Sequence, residues 1–517
     1  QEELTYEEFG VTHDAFHAPP GREEPTSLLH PLTMQALLSF NDAGFVCPAS
    51  MTVGAAIVLD RFDDGTNAET FRRLTSRDHD EHIEGAMFLT EEQGGSDVGA
   101  AETDAEPVVA PHQATESSAA QAKATQDGGE LQTREYKLTG EKWFCSNIDA
   151  QGTLALARRP GAPDGTKGLS LFLVPHELPS GELNEQRYRR LKDKLGTESV
   201  PTGEVEFDGT TGYLVGEPER GFKYMTTMVN WERVTNSVGA VGIIGRLLLE
   251  SKVKAANRDA FGQAIQDFPL MQRDLVEMAV DHEATLTFAM EAARWLDRYE
   301  RDHGDDDAFQ LMRLLVPVSK HVTTRKAVET ASYAMEIQGG NGYVDDFVTH
   351  RLYRDAQVLP IWEGTANILS LDVLRAMEKE AAHEALLPLV SGYLDNVEHP
   401  YLQPLAETVQ AEFEQLQEAL LGLATTDDKS AQYAAKDVTE YIYDVVTASI
   451  LLSRAQEHLD DGDARKAIVA NLFVERELAS DSSGVQTDAT PAMEYFDAIV
   501  QYDSLDDTKL PEQPVTT

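Results

Sequence analysis

The chain has 517 residues, more than one ordinary domain needs, so we expect three or four structural units. Its 89 Asp and Glu residues outnumber its 43 Lys and Arg residues, and the formal net charge is −46. A field of this sign repels phosphate backbones and argues against general nucleic-acid binding.

The size of this charge also bears on the environment of the protein. Self-repulsion of this kind is tolerated where salt screens it, so we expect an extreme halophile; the alternative is a merely acidic protein. The two cysteines, Cys47 and Cys145, form no disulfide framework and no metal-binding spacing, which favours a reducing cytoplasm. We expect no signal peptide and no apolar run long enough to span a bilayer. Because the chain begins at Gln1, inside an acidic segment, we also expect that its N-terminus is truncated.

The first half of the chain changes from helical to β-rich patterns. Residues 1–88 predict an N-terminal helical domain, from helical apolar spacing at 33–40 and an apolar run at 49–59. Residues 89–212 predict a central β-domain. The strand-like pieces, the first of which begins just before it, are 85–90, 135–139, 154–157, 169–175 and 203–207. Residues 100–132 are rich in Ala, Thr, Gln and acidic residues and predict a mobile insertion.

The second half of the chain is helical. Residues 213–380 predict a four-helix bundle, with helical patterns at 225–256, 269–301, 309–338 and 368–386. Residues 381–517 predict a helical C-terminal extension. This extension carries 26 acidic and 7 basic residues, so it contributes strongly to the negative charge. The predicted fold class is therefore multidomain α+β.

Five short segments contain residue types suited to cofactor binding or acid–base chemistry. Paired glycines admit a ligand to the backbone, an Arg at a helix break can bind a diphosphate, and a Glu among apolar groups can serve as a general base. Each segment alone also has an ordinary explanation as a turn, sheet packing, a surface Arg or a helix cap. The segments are LTEEQGGSDV (89–98), LTGEKWFCSN (138–147), NRDAFG (257–262), IQGGNGY (337–343) and LPIWEGTANI (359–368).

In order and spacing, these segments resemble the signature stretches of the acyl-CoA dehydrogenases, over about residues 40–377. The resemblance implies an N-terminal helical domain, a central β-barrel-like domain and a C-terminal four-helix bundle. FAD would lie between the β-domain and the bundle, with a neighbouring subunit completing its site. Residues 142–144, 190–196 and 361–364, with the long helical tail, resemble the alkylation-response subgroup. The best-known member of that subgroup binds DNA through basic patches, whereas this tail is acidic.

The resemblance also assigns the chemistry. Glu363 would remove the α-proton of an acyl-CoA thioester, the β-hydride would pass to flavin N5, and Trp362 would flank the acyl chain. Glu232 is a rival base, because some branched- or long-chain members place their base there, and Arg233 beside it is assigned to the substrate. A helix-face ion pair is the alternative interpretation of Glu232.

The resemblance implies ten FAD-binding residues, in five pairs. Thr90 and Ser96 would contact the flavin, its phosphate or the thioester, and Phe144 and Ser146 would lie against the isoalloxazine ring. Arg258 and Phe261 would reach the FAD from the adjacent subunit. Gly339 and Gly340 would lie at the diphosphate, and Thr365 and Asn367 at the phosphate and adenosine. Glu336 stands where many relatives have Gln, and the region before Thr90 is short for the family.

The resemblance further implies a cytoplasmic homotetramer, or dimer of dimers, of fatty acid metabolism. Its partners would be an acyl-CoA substrate and an electron-transfer flavoprotein, with no nucleic acid, no membrane and no metal. Two alternatives stay open, namely a flavin-containing alkylation-response-type protective protein with weak dehydrogenase activity, and an acyl-CoA oxidase. The sequence does not predict the length or branching of the acyl group.

Overall fold

The computed structural model describes residues 1–108, 134–479 and 493–514, so most of the predicted insertion at 100–132 lies outside the described residues. The chain forms two compact units. One comprises Gln1–Leu38 and Asp42–Thr235, and the other Ser39–Asn41 and Asn236–Thr517. The division into four domains at 1–88, 89–212, 213–380 and 381–517 stays a prediction.

The first unit begins with helices, as expected. They are α1 (His13–Phe16), α2 (Leu29–Ser39, whose last residue belongs to the second unit), α3 (Ala43–Phe62) and α4 (Ala68–Leu74). Asp42 caps α3, because its carboxylate accepts hydrogen bonds from the backbone amides of Gly44 and Phe45. By length and composition α3 could cross a membrane, so the expectation that no run is long enough was wrong. Most of α3 is buried within the first unit, which is typical of a core helix.

Within the described residues, the central sheet has seven strands, which are β1 (Gly85–Phe88), β2 (Asp104–Pro107), β3 (Glu135–Ser146), β4 (Gly152–Arg158), β5 (Leu169–Pro175), β6 (Gln186–Leu191) and β7 (Thr202–Val215). The pairings run β4–β2–β3–β7–β5 and return to β4, so five strands close a barrel. β1 pairs with β4, and β6 pairs with β7. The predicted barrel-like domain is confirmed. Two strands were missed, since β2 lies in the predicted insertion and β6 was not predicted as a strand.

The second unit contains the predicted bundle helices. They are the later part of α5 (Gly221–Asn257), then α6 (Pro269–Arg301), α7 (Asp306–Gln338), α8 (Thr349–Ala356) and α9 (Ala366–Glu380). A small hairpin of β8 (Asp259–Ala260) and β9 (Gln263–Ala264) links α5 to α6. The single helix predicted at 368–386 was wrong, because Ala381 adopts a left-handed conformation with φ 53° and ends α9 there.

The extension is helical in its described part, as predicted. Its helices are α10 (His383–Leu394), α11 (Gln403–Thr425), α12 (Asp428–Asp460), α13 (Arg465–Glu477) and α14 (Phe496–Val500). α12 packs against α6, α7 and α9. The buried Arg465 forms an ion pair with Glu283 of α6 and donates to the carbonyls of Ala498 and Ile499. The extension is therefore fixed to the bundle helices by apolar packing and by charge.

Candidate functional site

The loop that follows β1 carries the first predicted site residues. The backbone amide of Trp143 donates to the carbonyl of Thr90 at 2.9 Å, which joins this loop to β3. A Cβ at Gly95 would lie 2.5 Å from Oγ1 of Thr90, so a side chain at this position would force the Thr90 hydroxyl to move. Thr90 is half-buried and Ser96 is exposed. Among the described residues, no atom lies within 4 Å of a Cβ placed at Gly94, so the loop presents a hydroxyl group near open backbone, an arrangement suited to a polar ligand.

A buried ion pair supports this loop. Nζ of Lys142 lies 2.7 Å from Oε1 of Glu91 and donates to the carbonyl of Leu156 at 2.9 Å. Glu91 also accepts hydrogen bonds from the backbone amide of Glu102 and the hydroxyl of Thr103. Burial opposes the charge on Glu91, but Lys142 and these donors outweigh it and lower the pKa of Glu91 to about 2. The Glu91 carboxylate is therefore ionised, although burial also lowers the pKa of Lys142, and the pair locks the loop to the barrel.

The end of β3 presents an aromatic surface. Phe144 is 56% exposed, and Nζ of Lys192 lies 3.8 Å from the ring centroid of Trp143 and 4.7 Å from that of Phe144. A cation above two rings holds their orientation. Ser146, two residues further along the strand, shares a 2.9 Å hydrogen bond with Thr202. An exposed ring followed by a hydroxyl on one strand is suited to stacking against a flat heterocycle.

The rival base lies in the interior of the first unit. Glu232 is buried and accepts a hydrogen bond from the hydroxyl of Ser50 on α3 at 2.8 Å. The neighbouring Trp231 donates its indole N–H to the carbonyl of Ser50 at 3.0 Å. Arg233 is buried as well. Glu232 thus has a serine hydroxyl partner from another helix, a contact that the helix-face interpretation did not include.

The predicted catalytic residue lies in the turn between α8 and α9. Glu363 is half-buried and has φ 56°, and Gly364 after it has φ 108°. A left-handed conformation is costly for a residue with a side chain and is concentrated at functional sites. The buried Lys320 of α7 donates to the carbonyl of Gly364 at 2.6 Å. Trp362 donates its indole N–H to the side-chain oxygen of Asn236. The turn is therefore fixed on both sides of Glu363.

Two further features of the second unit expose backbone groups. Thr365 is the N-cap of α9, but its hydroxyl makes no capping hydrogen bond, and Thr365 and Asn367 are both exposed. A helix N-terminus is suited to binding anions. At the end of α7, Gly339 has φ 64°, and no atom lies within 4 Å of a Cβ placed at Gly339 or Gly340. Both glycines are exposed and leave room for a ligand at the backbone.

The β8–β9 hairpin carries the last predicted pair. Phe261 and Gly262 form its turn with φ 53° and 96°, so both are left-handed, and Phe261 is 99% exposed. Arg258 is exposed at the base of the same hairpin, where its carbonyl accepts the amide of Ile265. The Phe261 ring lies edge-on to that of Phe268, with the centroids 6.2 Å apart. A ring so exposed on a strained turn has the properties of a contact with another molecule.

The structure joins some of the predicted residues directly. Thr90 is linked to the aromatic end of β3, and residues 362–367 form one continuous turn and helix start. The sequence interpretation missed three supporting residues: Lys142 and Glu91 within its own segments, and Lys320. For Lys142 and Lys320 the signal was a charged residue within a strand or within the apolar stretch 314–322, whereas Glu91 lies in the loop after β1. The assigned roles of all site residues stay predictions.

Comparison with known proteins identifies the family. The acyl-CoA dehydrogenase middle domain matches residues 86–210, and the acyl-CoA dehydrogenase C-terminal domain matches residues 219–378. Acyl-CoA dehydrogenase family member 11 of Caenorhabditis elegans is 33% identical over 80% of this chain and 66% of its own length. The Escherichia coli protein AidB is 33% identical over 67% of this chain and 60% of its own length.

One solved structure is similar to this chain over most of its length. The Caenorhabditis elegans ACDH-11 structure, in complex with C11-CoA, has a TM-score of 0.80 and 29% identity, covering 93% of this chain and 79% of that chain. Because the two domains of one family match in order and together span more than half of the chain, the chain belongs to the acyl-CoA dehydrogenase family. It spans between about half and two thirds of the length of the first curated relatives.

Proposed function

We propose that this protein is an FAD-dependent dehydrogenase that oxidises an acyl-CoA thioester to the trans-2-enoyl-CoA. The observation that carries the proposal is Glu363, held in a left-handed turn between Trp362 and the start of α9. A carboxylate fixed in this way suits a general base that removes the α-proton. When bound, FAD accepts the β-hydride at its N5 position.

The residues of this chain have distinct tasks in that reaction. The Glu363 carboxylate takes the α-proton, and its backbone amide donates to the thioester oxygen, which makes the α-proton more acidic. Trp362 flanks the acyl chain and helps to exclude water from the base. Glu232 is buried against Ser50 and serves packing rather than proton transfer. Arg233 contributes to substrate binding.

The exposed groups described above are suited to FAD. The uncapped start of α9, with Thr365 and Asn367, can bind phosphate, and the open backbone at Gly339 and Gly340 admits a diphosphate. Phe144, with Ser146 on the same strand, is suited to stacking on the isoalloxazine ring. The remaining contacts we assign are Thr90, Ser96, Arg258 and Phe261. Glu336 is exposed and, as an acid in place of Gln, weakens one contact.

One relative supports a proposal for the substrate. Because ACDH-11 was solved with C11-CoA, we infer a medium- to long-chain acyl-CoA for this chain. We further propose that an electron-transfer flavoprotein receives the electrons and that the protein works as a homotetramer in the cytoplasm of a halophile, an origin that the net charge of −46 supports. If it were an oxidase instead, dioxygen would reoxidise the reduced flavin as fast as an artificial acceptor does.

The experiment that tests the proposal compares two carboxylates. Glu363→Gln keeps the side-chain shape and removes the base, so anaerobic reduction of the flavin by a good acyl-CoA should slow by ~10²–10⁴-fold. FAD content should be unchanged. Glu232→Gln should change the rate only a few-fold. A nearly normal rate for Glu363→Gln together with an inactive Glu232→Gln would assign the base role to Glu232 on α5. Normal rates for both variants would contradict the proposed reaction.

A second candidate function is supported by the similarity to AidB. It is that of a flavin-containing alkylation-response-type protein with weak dehydrogenase activity. The net charge of −46 opposes its DNA-binding part, because binding to phosphates requires an excess of basic residues. Duplex DNA should therefore not be retarded at physiological salt. Retardation with a steep dependence on salt concentration would favour this second function.

A further inference from the structure

The buried Lys320 lies next to the turn that presents the proposed base. It is fully buried on α7, 43 residues before Glu363 in the chain, and its Nζ lies 2.6 Å from the carbonyl oxygen of Gly364. A buried ammonium group is costly unless it is hydrogen-bonded, so a lysine in an apolar stretch needs a compensating role. Charge-assisted hydrogen bonds of this length are among the strongest in proteins.

We propose that Lys320 is a positioning residue for the base, an inference that rests on the proposed function of Glu363. The carbonyl of Gly364 belongs to the peptide group between Gly364 and Thr365. Fixing it sets the orientation of two consecutive left-handed residues, at φ 56° and 108°, and hence the direction of the Glu363 side chain. Without this hydrogen bond the strained turn relaxes towards ordinary backbone angles and moves the carboxylate.

The charge of Lys320 adds a second effect. An ammonium group that donates to a carbonyl polarises the whole peptide group, so the N–H of Thr365 becomes a stronger donor. That N–H belongs to the N-cap of α9, where we place a phosphate of the cofactor. Lys320 thereby couples the geometry of the base to the start of the cofactor-binding helix.

Proton abstraction can be measured apart from hydride transfer. In 3,3-dimethylbutyryl-CoA the β-carbon carries no hydrogen, so no hydride can leave. The α-carbon–hydrogen bond breaks, its electron pair stays on the thioester enolate, and the proton goes to the Glu363 carboxylate. In D₂O the protonated Glu363 carboxyl group exchanges its proton for deuterium from the solvent and then returns deuterium to the same carbon. The rate of α-deuterium incorporation into this thioester therefore reports the base alone.

The test uses the FAD-containing full chain with Lys320→Met, which keeps the length of the side chain but removes the donor. We expect deuterium incorporation and flavin reduction to slow together, roughly 10- to 100-fold, because a small displacement of a catalytic group has effects of that size. FAD affinity should fall by no more than about threefold, because only one donor at the start of α9 is weakened, and thioester affinity should stay within the same range. Lys320→Arg, which keeps charge and donors, should recover part of the rate. Lys326→Met on the same helix, a half-buried lysine near Asp281, is the matched control and should exchange normally.

Three results would overturn the inference. One is normal exchange in a folded, FAD-containing Lys320→Met protein while Glu363→Gln is inactive. The second is equal loss in Lys320→Met and Lys326→Met. The third is failure of Lys320→Met and of Lys320→Gln to fold while Lys326→Met folds, which would assign Lys320 to stability alone. Normal deuterium exchange by Glu363→Gln would instead contradict the proposed function. This outcome is measured without any Lys320 variant, so the two failures can be distinguished.

Discussion

Lys142 and Glu91 form a buried ion pair, with Nζ of Lys142 2.7 Å from Oε1 of Glu91. The pair joins the loop at residues 89–98 to β3, so the two segments that we assign to the cofactor share one electrostatic anchor. Removing one partner of a buried ion pair leaves an uncompensated charge, whereas replacing both partners is often tolerated. The anchor therefore affects both the stability of the first unit and the shape of the loop.

We predict that Lys142→Met destabilises the protein by about 3–5 kcal/mol and weakens FAD binding, because Glu91 is left buried without its partner. Denaturant unfolding and FAD titration measure the two effects. Lys137→Met, an exposed lysine on the same strand, should be nearly neutral. The double variant Glu91→Gln with Lys142→Met should recover much of the lost stability. A Lys142→Met protein as stable as wild type would contradict the anchor.

The same pair predicts a pH dependence. The pKa of Glu91 is lowered to about 2, below the value of about 4.3 that it has in an unfolded chain. Its contribution to stability is therefore complete above pH of about 4.3 and is lost as the pH falls towards 2. Acid unfolding of wild type and Glu91→Gln tests this, and the Gln variant should lose less stability over that interval. Parallel acid unfolding curves would exclude the pair as the cause.

The sequence predicted the long helices better than the short strands. α6 was predicted with its observed bounds, since a proline at its first position and a sustained helical period mark it. β2 and β6 lack buried apolar alternation, because β6 is exposed and its arginines pair with acids on β7. Strand pairing supplies their stability, and no local pattern encodes it.

Only part of the candidate site could be predicted from the sequence. The motifs at 89–98 and 359–368 could be found from residue order, but the partners of Glu91 and Gly364 could not. Lys142 lies 51 residues from Glu91, and Lys320 lies 44 residues from Gly364, so both contacts depend on tertiary packing. The left-handed φ of Glu363 is likewise a property of the folded turn, since a Glu residue rarely adopts it.

Asp444 on α12 predicts a pH effect of opposite sign. Burial raises the pKa of Asp444 to about 8, and the negative charges of Glu477 and Glu440 add to this while Lys326 and Arg476 oppose it. Because this pKa lies above the unfolded value of about 3.9, the folded protein binds the proton more tightly. The contribution of Asp444 to the free energy of unfolding is therefore complete below pH of about 4 and is lost as the pH rises towards 8.

We predict that Asp444→Asn, which has the same shape and no charge, is more stable than wild type at pH 8 by on the order of a few kcal/mol. At pH 5 the difference should be smaller. Thermal unfolding between pH 5 and 9 measures it, with Asp437→Asn on the exposed side of the same helix as control. An equal pH dependence of wild type and Asp444→Asn would show that Asp444 does not titrate in this range.

The net charge of −46 predicts a strong dependence on salt. The Debye length rises from about 3 Å at 1 M salt to about 30 Å at 0.01 M, so repulsion among surface acids grows on dilution. We expect the melting temperature to fall steeply between molar and millimolar KCl. NaCl at equal ionic strength should give the same curve, because screening depends on ionic strength. An unchanged melting temperature would contradict adaptation to high salt.

Phe261 tests whether the β8–β9 hairpin contacts another molecule. Its ring is 99% exposed and its φ is 53°, so neither burial nor backbone preference in this chain explains the residue. Phe261→Asn keeps the left-handed turn, which Asn tolerates, and removes only the ring. If the ring is buried against FAD and an adjacent subunit, the loss is about 1.5–3 kcal/mol. FAD affinity should then fall by roughly 10- to 100-fold, and the oligomer should dissociate at higher protein concentration. Flavin titration and light scattering after gel filtration measure both quantities.

Tyr433→Ala, which removes an 89% exposed ring on α12, should change neither. Unaltered affinity and mass in Phe261→Asn would mean that the hairpin does not take part in the site.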